Sequence, residues 1–137
     1  VPERFCLEIT EADLSTDIEL MSEQLDRLAA LGVRLAIDDF GTGFATLDYL
    51  RRFSSAHVLK VDASFVAGLG DPSLPDVAIV SAALVLAEKL NFDTVAEGVE
   101  TEEQRRVLLG LGCQRAQGFL FSPPVTAAEI DDLLARR

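Results

Sequence analysis

Arg34-Leu35-Ala36-Ile37-Asp38-Asp39-Phe40-Gly41-Thr42-Gly43 is the stretch that decides the fold. A short apolar run stops at two adjacent acids and a glycine turn. That pattern reads as a buried β-strand whose C-terminal end carries charge. The rest of the chain repeats it. Upstream, Phe5 to Thr10 is a strand that ends at Glu8 and Thr10, and Ser15 to Leu31 is a helix. Thr16 with Glu19 forms an expected capping box, Gly32 is the stop, and Ile18, Met21, Leu25 and Leu28 supply one apolar face.

Downstream, a short helix over Thr46 to Phe53 leads to a third strand, Val58 to Asp62. The loop Gly68 to Pro75 opens a helix from Asp76 to Leu90, followed by a strand at Thr94 to Val99. Thr101 with Gln104 caps the next helix, which Gly112 ends; Arg115 to Phe119 is the fifth strand, and Thr126 with Glu129 opens a last helix. About five βα units in a row imply an α/β fold with a parallel sheet and right-handed crossovers. Both an open doubly wound sheet and a partial (β/α)8 barrel fit. A whole barrel takes about 250 residues, so on the barrel reading roughly three strands are missing.

The chain has 137 residues, enough for one domain with a core, and 49% of them are hydrophobic, which argues against disorder. Twelve basic against 23 acidic residues leave a net charge of −11. Such a surface repels nucleic-acid backbones and anionic membranes, so neither DNA, RNA nor direct membrane contact is expected. The longest apolar stretch, Val77 to Ala87, is too short to span a bilayer. Cys6 and Cys113 show no metal spacing and read as buried, reduced thiols of a cytoplasmic protein. The chain opens on Val1-Pro2-Glu3 and soon enters a strand, which leads us to expect a piece of something longer.

Side chains alternate along a strand, so parity sorts them by face. One face collects Phe5, Leu7, Ile9, Leu35, Ile37, Leu59 and Val61, suited to packing under helices. The other collects Cys6, Glu8, Thr10, Ala36, Asp38, Val58, Lys60, Asp62, Val95, Glu97 and Gln117, and turns polar towards the C-terminal strand ends. Those ends are where parallel β/α folds build active sites. Glu8, Asp38, Asp39 and Glu97 are hard oxygen donors suited to Mg²⁺ or Mn²⁺, and Lys60 can balance their charge and orient a water. Taken singly, the same residues are ordinary helix-start charges and turn formers; only their shared face asks for more. The turn at Gly41 and Gly43 either cradles a phosphate with its N–H groups or is a plain turn. Asp39-Phe40-Gly41 also matches the kinase metal loop, but no His-Arg-Asp loop or nucleotide loop accompanies it. His57, the only histidine, precedes a strand at the end away from the acids and reads as structural.

With these residues placed, the chain resembles the C-terminal portion of an EAL domain, the cyclic di-GMP phosphodiesterase family of bacterial signalling. The resemblance spans residues 1–137. It rests on Leu7-Glu8-Ile9-Thr10-Glu11, Ile37 to Gly43, Leu59-Lys60-Val61-Asp62 with Ser64-Phe65-Val66, Ala96 to Thr101 with Gln104, and Gln117-Gly118-Phe119 with Pro124, in that order. It implies metal-dependent hydrolysis of cyclic di-GMP to linear pGpG, with two Mg²⁺ or Mn²⁺ ions and inhibition by Ca²⁺. By resemblance, Glu8 and Asp38 ligate one metal; Asp38, Asp39 and Glu97 serve the second. The catalytic set is Lys60, which holds the attacking water, with Glu97 and Asp39; Glu97 is also the candidate base. Glu11 braces the loop from Asp39 to Leu47, which in the family couples metal binding to dimerisation. Asp62, Glu100 and Gln117 support the water and substrate side. A homodimer is expected; upstream regulatory domains, the GGDEF type among them, are common in the family, with any membrane anchor outside this segment.

The departures are specific. The Glu-Ala-Leu triplet that names the family is absent, the nearest being Glu11-Ala12-Asp13. The family's metal-binding asparagine is missing too: the one asparagine, Asn91, falls in a helix-to-strand loop at the opposite end of the sheet. The substrate-binding arginine near the absent triplet is also gone, and Pro123 replaces the usual basic residue before the final proline. The isolated chain is therefore expected to be weak or inactive. The alternative is a degenerate domain that acts as a cyclic di-GMP receptor or protein-interaction module.

Overall fold

Strands β1 (Cys6–Thr10), β2 (Arg34–Phe40), β3 (Val58–Val61) and β4 (Asp93–Ala96) lie side by side in sequence order. All three pairings are parallel. The computed structural model describes residues 1–10, 17–42 and 47–135. Between the strands run helices α1 (Ile18–Ala30), α2 (Leu47–Arg52), α3 (Ala63–Ala67) and α4 (Asp76–Lys89); α5 (Glu102–Gly110) and α6 (Ala127–Ala135) follow β4. This is the α/β parallel order expected of a (β/α)8 arc. The short α3 was not legible in the sequence.

The fifth expected strand, Arg115 to Phe119, is present only as one parallel bridge, Ala96 to Ala116. The chain nevertheless tracks β4: Ala96 N–H donates to Arg115 O at 3.0 Å, Gln117 N–H to Ala96 O at 2.9 Å, and Leu120 N–H to Val99 O at 3.0 Å. A regular ladder fails because Gly98 turns left-handed, with φ +65°, just after β4.

The helix ends follow local chemistry. Asp17 caps α1 by accepting from Leu20 N–H at 3.1 Å. It takes the place expected for Thr16, which lies outside the described residues. Thr101 and Gln104 form the expected capping box of α5. At α1, α4 and α5 the chain leaves the helix through a left-handed residue, respectively Gly32, Asn91 and Gly112. In each case the next N–H returns to a carbonyl one turn back: Val33 to Leu28, Phe92 to Ala87, Cys113 to Leu108. This closing motif gives Asn91 a role in ending α4.

Two apolar clusters lie between the sheet and the helices. One joins Ile9, Leu35, Ile37 and Leu59 to Leu25, Phe53 and Phe92; the other joins Val61 and Ala96 to Val66, Val80, Leu108 and Cys113. A fully buried leucine such as Leu35 or Leu59 contributes roughly 2–3 kcal/mol by area removed from water. The parity reading holds for β2 and β3 and fails at the start of β1. Phe5 and Leu7 are 65% and 42% exposed, because β1 is the sheet edge and no described helix covers its first half. Cys6 is exposed for the same reason, against the expected burial, while Cys113 is buried. Among the described residues, no helix is long and apolar enough to cross a membrane.

One irregularity positions the site. β2 and β3 pair Ile37 with Leu59 and then Phe40 with Val61, so β2 carries one extra residue. Strict alternation would send the side chains of Asp38 and Asp39 to opposite faces. The bulge, together with a left-handed Asp39 at φ +55°, breaks that alternation. Aspartate tolerates this backbone far better than a β-branched residue would.

Candidate functional site

Lys60, one residue from the end of β3, points its ammonium into a ring of acids. Its Nζ lies 2.7 Å from Glu97 Oε1, 2.8 Å from Glu8 Oε2 and 3.1 Å from Asp38 Oδ2. Each acid comes from a different strand end: Glu8 from β1, Asp38 from β2, Glu97 from the residue after β4. The Lys60 side chain is only 6% exposed, and a buried ammonium needs such partners. Glu97 is held by its backbone as well, with its N–H donating to Val61 O at 3.0 Å.

Asp38, Asp39 and Glu97 each place a carboxylate oxygen within 4.8 Å of the other two. Asp38 Oδ1 accepts the Asp39 N–H at 3.0 Å, which fixes its carboxylate and leaves Oδ2 for Lys60. Gln117 reaches across from the segment beside β4, and its Nε2 donates to Glu97 Oε1 at 2.5 Å. Three carboxylates contact the ammonium and Asp39 adds a fourth to the cluster, so the site is strongly anionic and matches the electrostatics of a cation centre.

The protonation equilibria diverge. Burial pushes the Lys60 amine down, but its bonds to Glu8, Glu97 and Asp38 outweigh it and hold it firmly protonated. Burial likewise pushes the Asp38 carboxyl up, yet Lys60 and the Asp39 N–H prevail and it sits below its usual range. For Glu97 burial wins, aided by the neighbouring Asp38 charge and only partly offset by Lys60, and its carboxyl is raised. The two adjacent carboxyls thus shift in opposite directions.

The other expected site residues fall in several places. Asp62 caps α3, accepting from Ser64 N–H at 3.0 Å and from the Ser64 hydroxyl. Glu100 and Gln117 line a cleft of about 660 Å³ with Gly98, Phe119 and Pro123, and Gln117 ties that cleft to the acidic ring. Gly41 is left-handed at φ +98° against the Phe65 ring. In the same turn the Thr42 N–H and hydroxyl donate to Asp39 O at 3.2 and 2.9 Å, so these donors close the turn. Glu11 and Gly43 lie outside the described residues. Two features were missed by sequence reasoning. The bulge that sets Asp38 and Asp39 has no one-residue signature. The bond from Gln117 to Glu97 depends on the approach of residues 20 apart in the chain.

The family model described as "EAL domain" matches residues 1–124. The bifunctional diguanylate cyclase/cyclic di-GMP phosphodiesterase MucR of Pseudomonas aeruginosa is 43% identical over 129 residues, covering 94% of this chain and 18% of that protein. The cyclic di-GMP phosphodiesterase NbdA of the same organism is 44% identical over 128 residues, covering 93% of this chain and 16% of its own length. The chain thus spans less than a fifth of each of these relatives. Among solved structures, the MucR phosphodiesterase in complex with c-di-GMP superposes with a TM-score of 0.87 at 44% identity, covering 94% of this chain and 51% of that one. The EAL domain of Mycobacterium smegmatis DcpA gives 0.88 at 48%, covering 96% and 58%. Klebsiella pneumoniae BlrP1, solved with cyclic di-GMP and either manganese or calcium, gives 0.80 and 0.79 at 38%, each covering 90% of this chain and 31% of its own.

Proposed function

The chain belongs to the EAL domain family, and from that premise we propose that it supplies the acidic wall of a cyclic di-GMP phosphodiesterase site. Residues 1–137 are the C-terminal portion of one such domain, consistent with the 51% and 58% of the MucR and DcpA structures they cover. The whole domain cleaves cyclic di-GMP to linear pGpG. The observation that carries this reading is the approach of Asp38, Asp39 and Glu97 to within 4.8 Å of one another beside a buried Lys60.

The donors fit a divalent cation. They are all carboxylate oxygens, the hard ligands that Mg²⁺ and Mn²⁺ take, and among the described residues no softer nitrogen or sulfur atom belongs to the group. Asp38, Asp39 and Glu97 would hold one ion; Glu8 with Asp38 would contribute to another, completed from elsewhere in the domain. Bound ions supply Lewis-acid stabilisation of phosphodiester charge and make a water easier to deprotonate.

The chain's own groups do the rest. Glu97, its carboxyl raised by burial, is the base that accepts the water proton. Gln117 keeps the Glu97 carboxylate oriented through its amide. Lys60 donates to the water oxygen and offsets charge around it. Asp39 joins the catalytic set through its bulge-set carboxylate. Asp62 and Glu100 support the substrate side, Glu100 from the wall of the cleft next to the ring. Gly41 and Gly43 belong to the loop from Asp39 to Leu47 that links the site to a homodimer contact, and Glu11 braces that loop. The site is cytoplasmic, in a protein whose other domains regulate it.

Turnover of cyclic di-GMP by the full-length protein in Mn²⁺ tests this directly. pGpG formation that Asp38→Ala reduces by about 10²-fold or more is expected. Equal turnover by both proteins discards the catalytic reading; binding of cyclic di-GMP without cleavage favours a receptor.

A further inference from the structure

The Lys60 ammonium donates a hydrogen bond to Glu8 and forms close ion pairs with Asp38 and Glu97, so three carboxylates crowd it. Two of them, Asp38 and Glu97, are also two of the three carboxylates whose oxygens cluster with Asp39. The same anionic groups are therefore claimed twice, once by a buried lysine and once by any divalent ion that would sit among them. An ammonium paired to three carboxylates is oriented toward them.

We propose that Lys60 and a divalent cation compete for Asp38 and Glu97, so that cation binding releases an ammonium donor of Lys60 for the water. This rests on the reading of the site as a cation centre and adds to it a coupling. The availability of Lys60 to the water is thus gated by the ion. Three physical facts drive the exchange. A +2 ion attracts the same carboxylates more strongly than a +1 ammonium at equal distance. When an ion occupies only the Asp38, Asp39 and Glu97 group, Lys60 keeps its hydrogen bond to Glu8, so its charge stays partnered after that exchange. The lysine stem is unbranched and flexible, so its head can shift by a bond rotation while its backbone stays in β3. The coupling is also reciprocal, since whatever the ion does to Lys60, Lys60 does to the affinity for the ion.

The test is isothermal calorimetry with MnCl₂ on the full-length protein and its Lys60→Met and Lys60→Arg variants, with circular dichroism to check folding. Removing the competing charge in Lys60→Met is expected to tighten Mn²⁺ binding by about tenfold or more. Lys60→Arg keeps the charge and is expected to stay within about threefold of the parent. A folded Lys60→Met protein that binds Mn²⁺ equally or more weakly overturns the competition while leaving the cation site standing. No Mn²⁺ binding by the parent or Lys60→Met overturns both. A second measurement needs no variant: ¹⁵N NMR of the lysine ammonium groups during a MgCl₂ titration. The Lys60 signal is expected to shift or broaden in step with binding. A signal that stays fixed while calorimetry registers Mg²⁺ uptake overturns the inference.

Discussion

Lys60 Nζ and Glu97 Oε1 stand 2.7 Å apart, and the same Glu97 oxygen also receives the Gln117 amide. A base with one oxygen that pairs with an ammonium and accepts an amide N–H has a fixed direction. This pairing, made by residues from three separate segments, turns a row of strand-end acids into a directed site.

Replacing Glu97 by Gln keeps the shape and removes the base. Turnover is expected to fall about 10²–10⁴-fold, the range typical of a lost general base, with little change in KM. Chromatographic assay of pGpG at saturating cyclic di-GMP checks it. A loss confined to KM would reassign Glu97 to binding.

Stability should respond oppositely to the two adjacent carboxyls. The folded Asp38 carboxyl is lowered, so its contribution is present above the ordinary carboxyl range and is lost as pH falls through its folded value. That of Glu97 is raised, so its contribution is present at acid pH below the ordinary range and is lost as pH rises through its folded value. At pH 7 without added metal, Asp38→Asn is expected to lower the thermal midpoint, and Glu97→Gln to leave it level or raise it. Calorimetric scans of both variants decide; a fall for Glu97→Gln of the same size as for Asp38→Asn would contradict this account.

Asp39 holds a left-handed backbone in the β2 bulge. Asn accepts that conformation, so Asp39→Asn is expected to keep its folding free energy within about 0.5 kcal/mol while losing cation affinity. Asp39→Val should cost about 1–2 kcal/mol or more. Urea unfolding of the two variants separates the backbone requirement from the carboxylate.

Gly118 passes directly over the backbone of Val99, where a Cβ would collide with main-chain atoms. Gly118→Ala is expected to cost about 1–3 kcal/mol and to displace the segment carrying Gln117. Urea unfolding measures the first effect; a lowered kcat that parallels Gln117→Ala reports the second.

Much of this was legible in the sequence because apolar runs alternate with capped helices at regular spacing. Leu35, Ile37, Leu59 and Val61 sit where alternation puts them, all but fully buried. Glu8, Asp38, Lys60 and Glu97 meet because each lies near the C-terminal end of its strand and the strands are in register: Glu8 beside Ala36, Thr10 beside Asp38, Lys60 beside Val95. The failures occur where alternation breaks or cover is lacking. Asp39 joins Asp38 only through an inserted residue, which no period records. Phe5 and Leu7 are exposed because β1 is an edge, a property of what lies beside a strand and not of the strand. The fifth strand shrank to a bridge because Gly98, read as a motif residue, is also a left-handed break.

The most direct measurement is a crystal of the full-length protein grown with Mn²⁺ and cyclic di-GMP, with data collected at the manganese edge. An anomalous peak is expected in contact with carboxylate oxygens of Asp38, Asp39 and Glu97, with Lys60 no longer bonded to all three of its present partners. A fully occupied manganese site elsewhere, with none among these three side chains, would contradict the account.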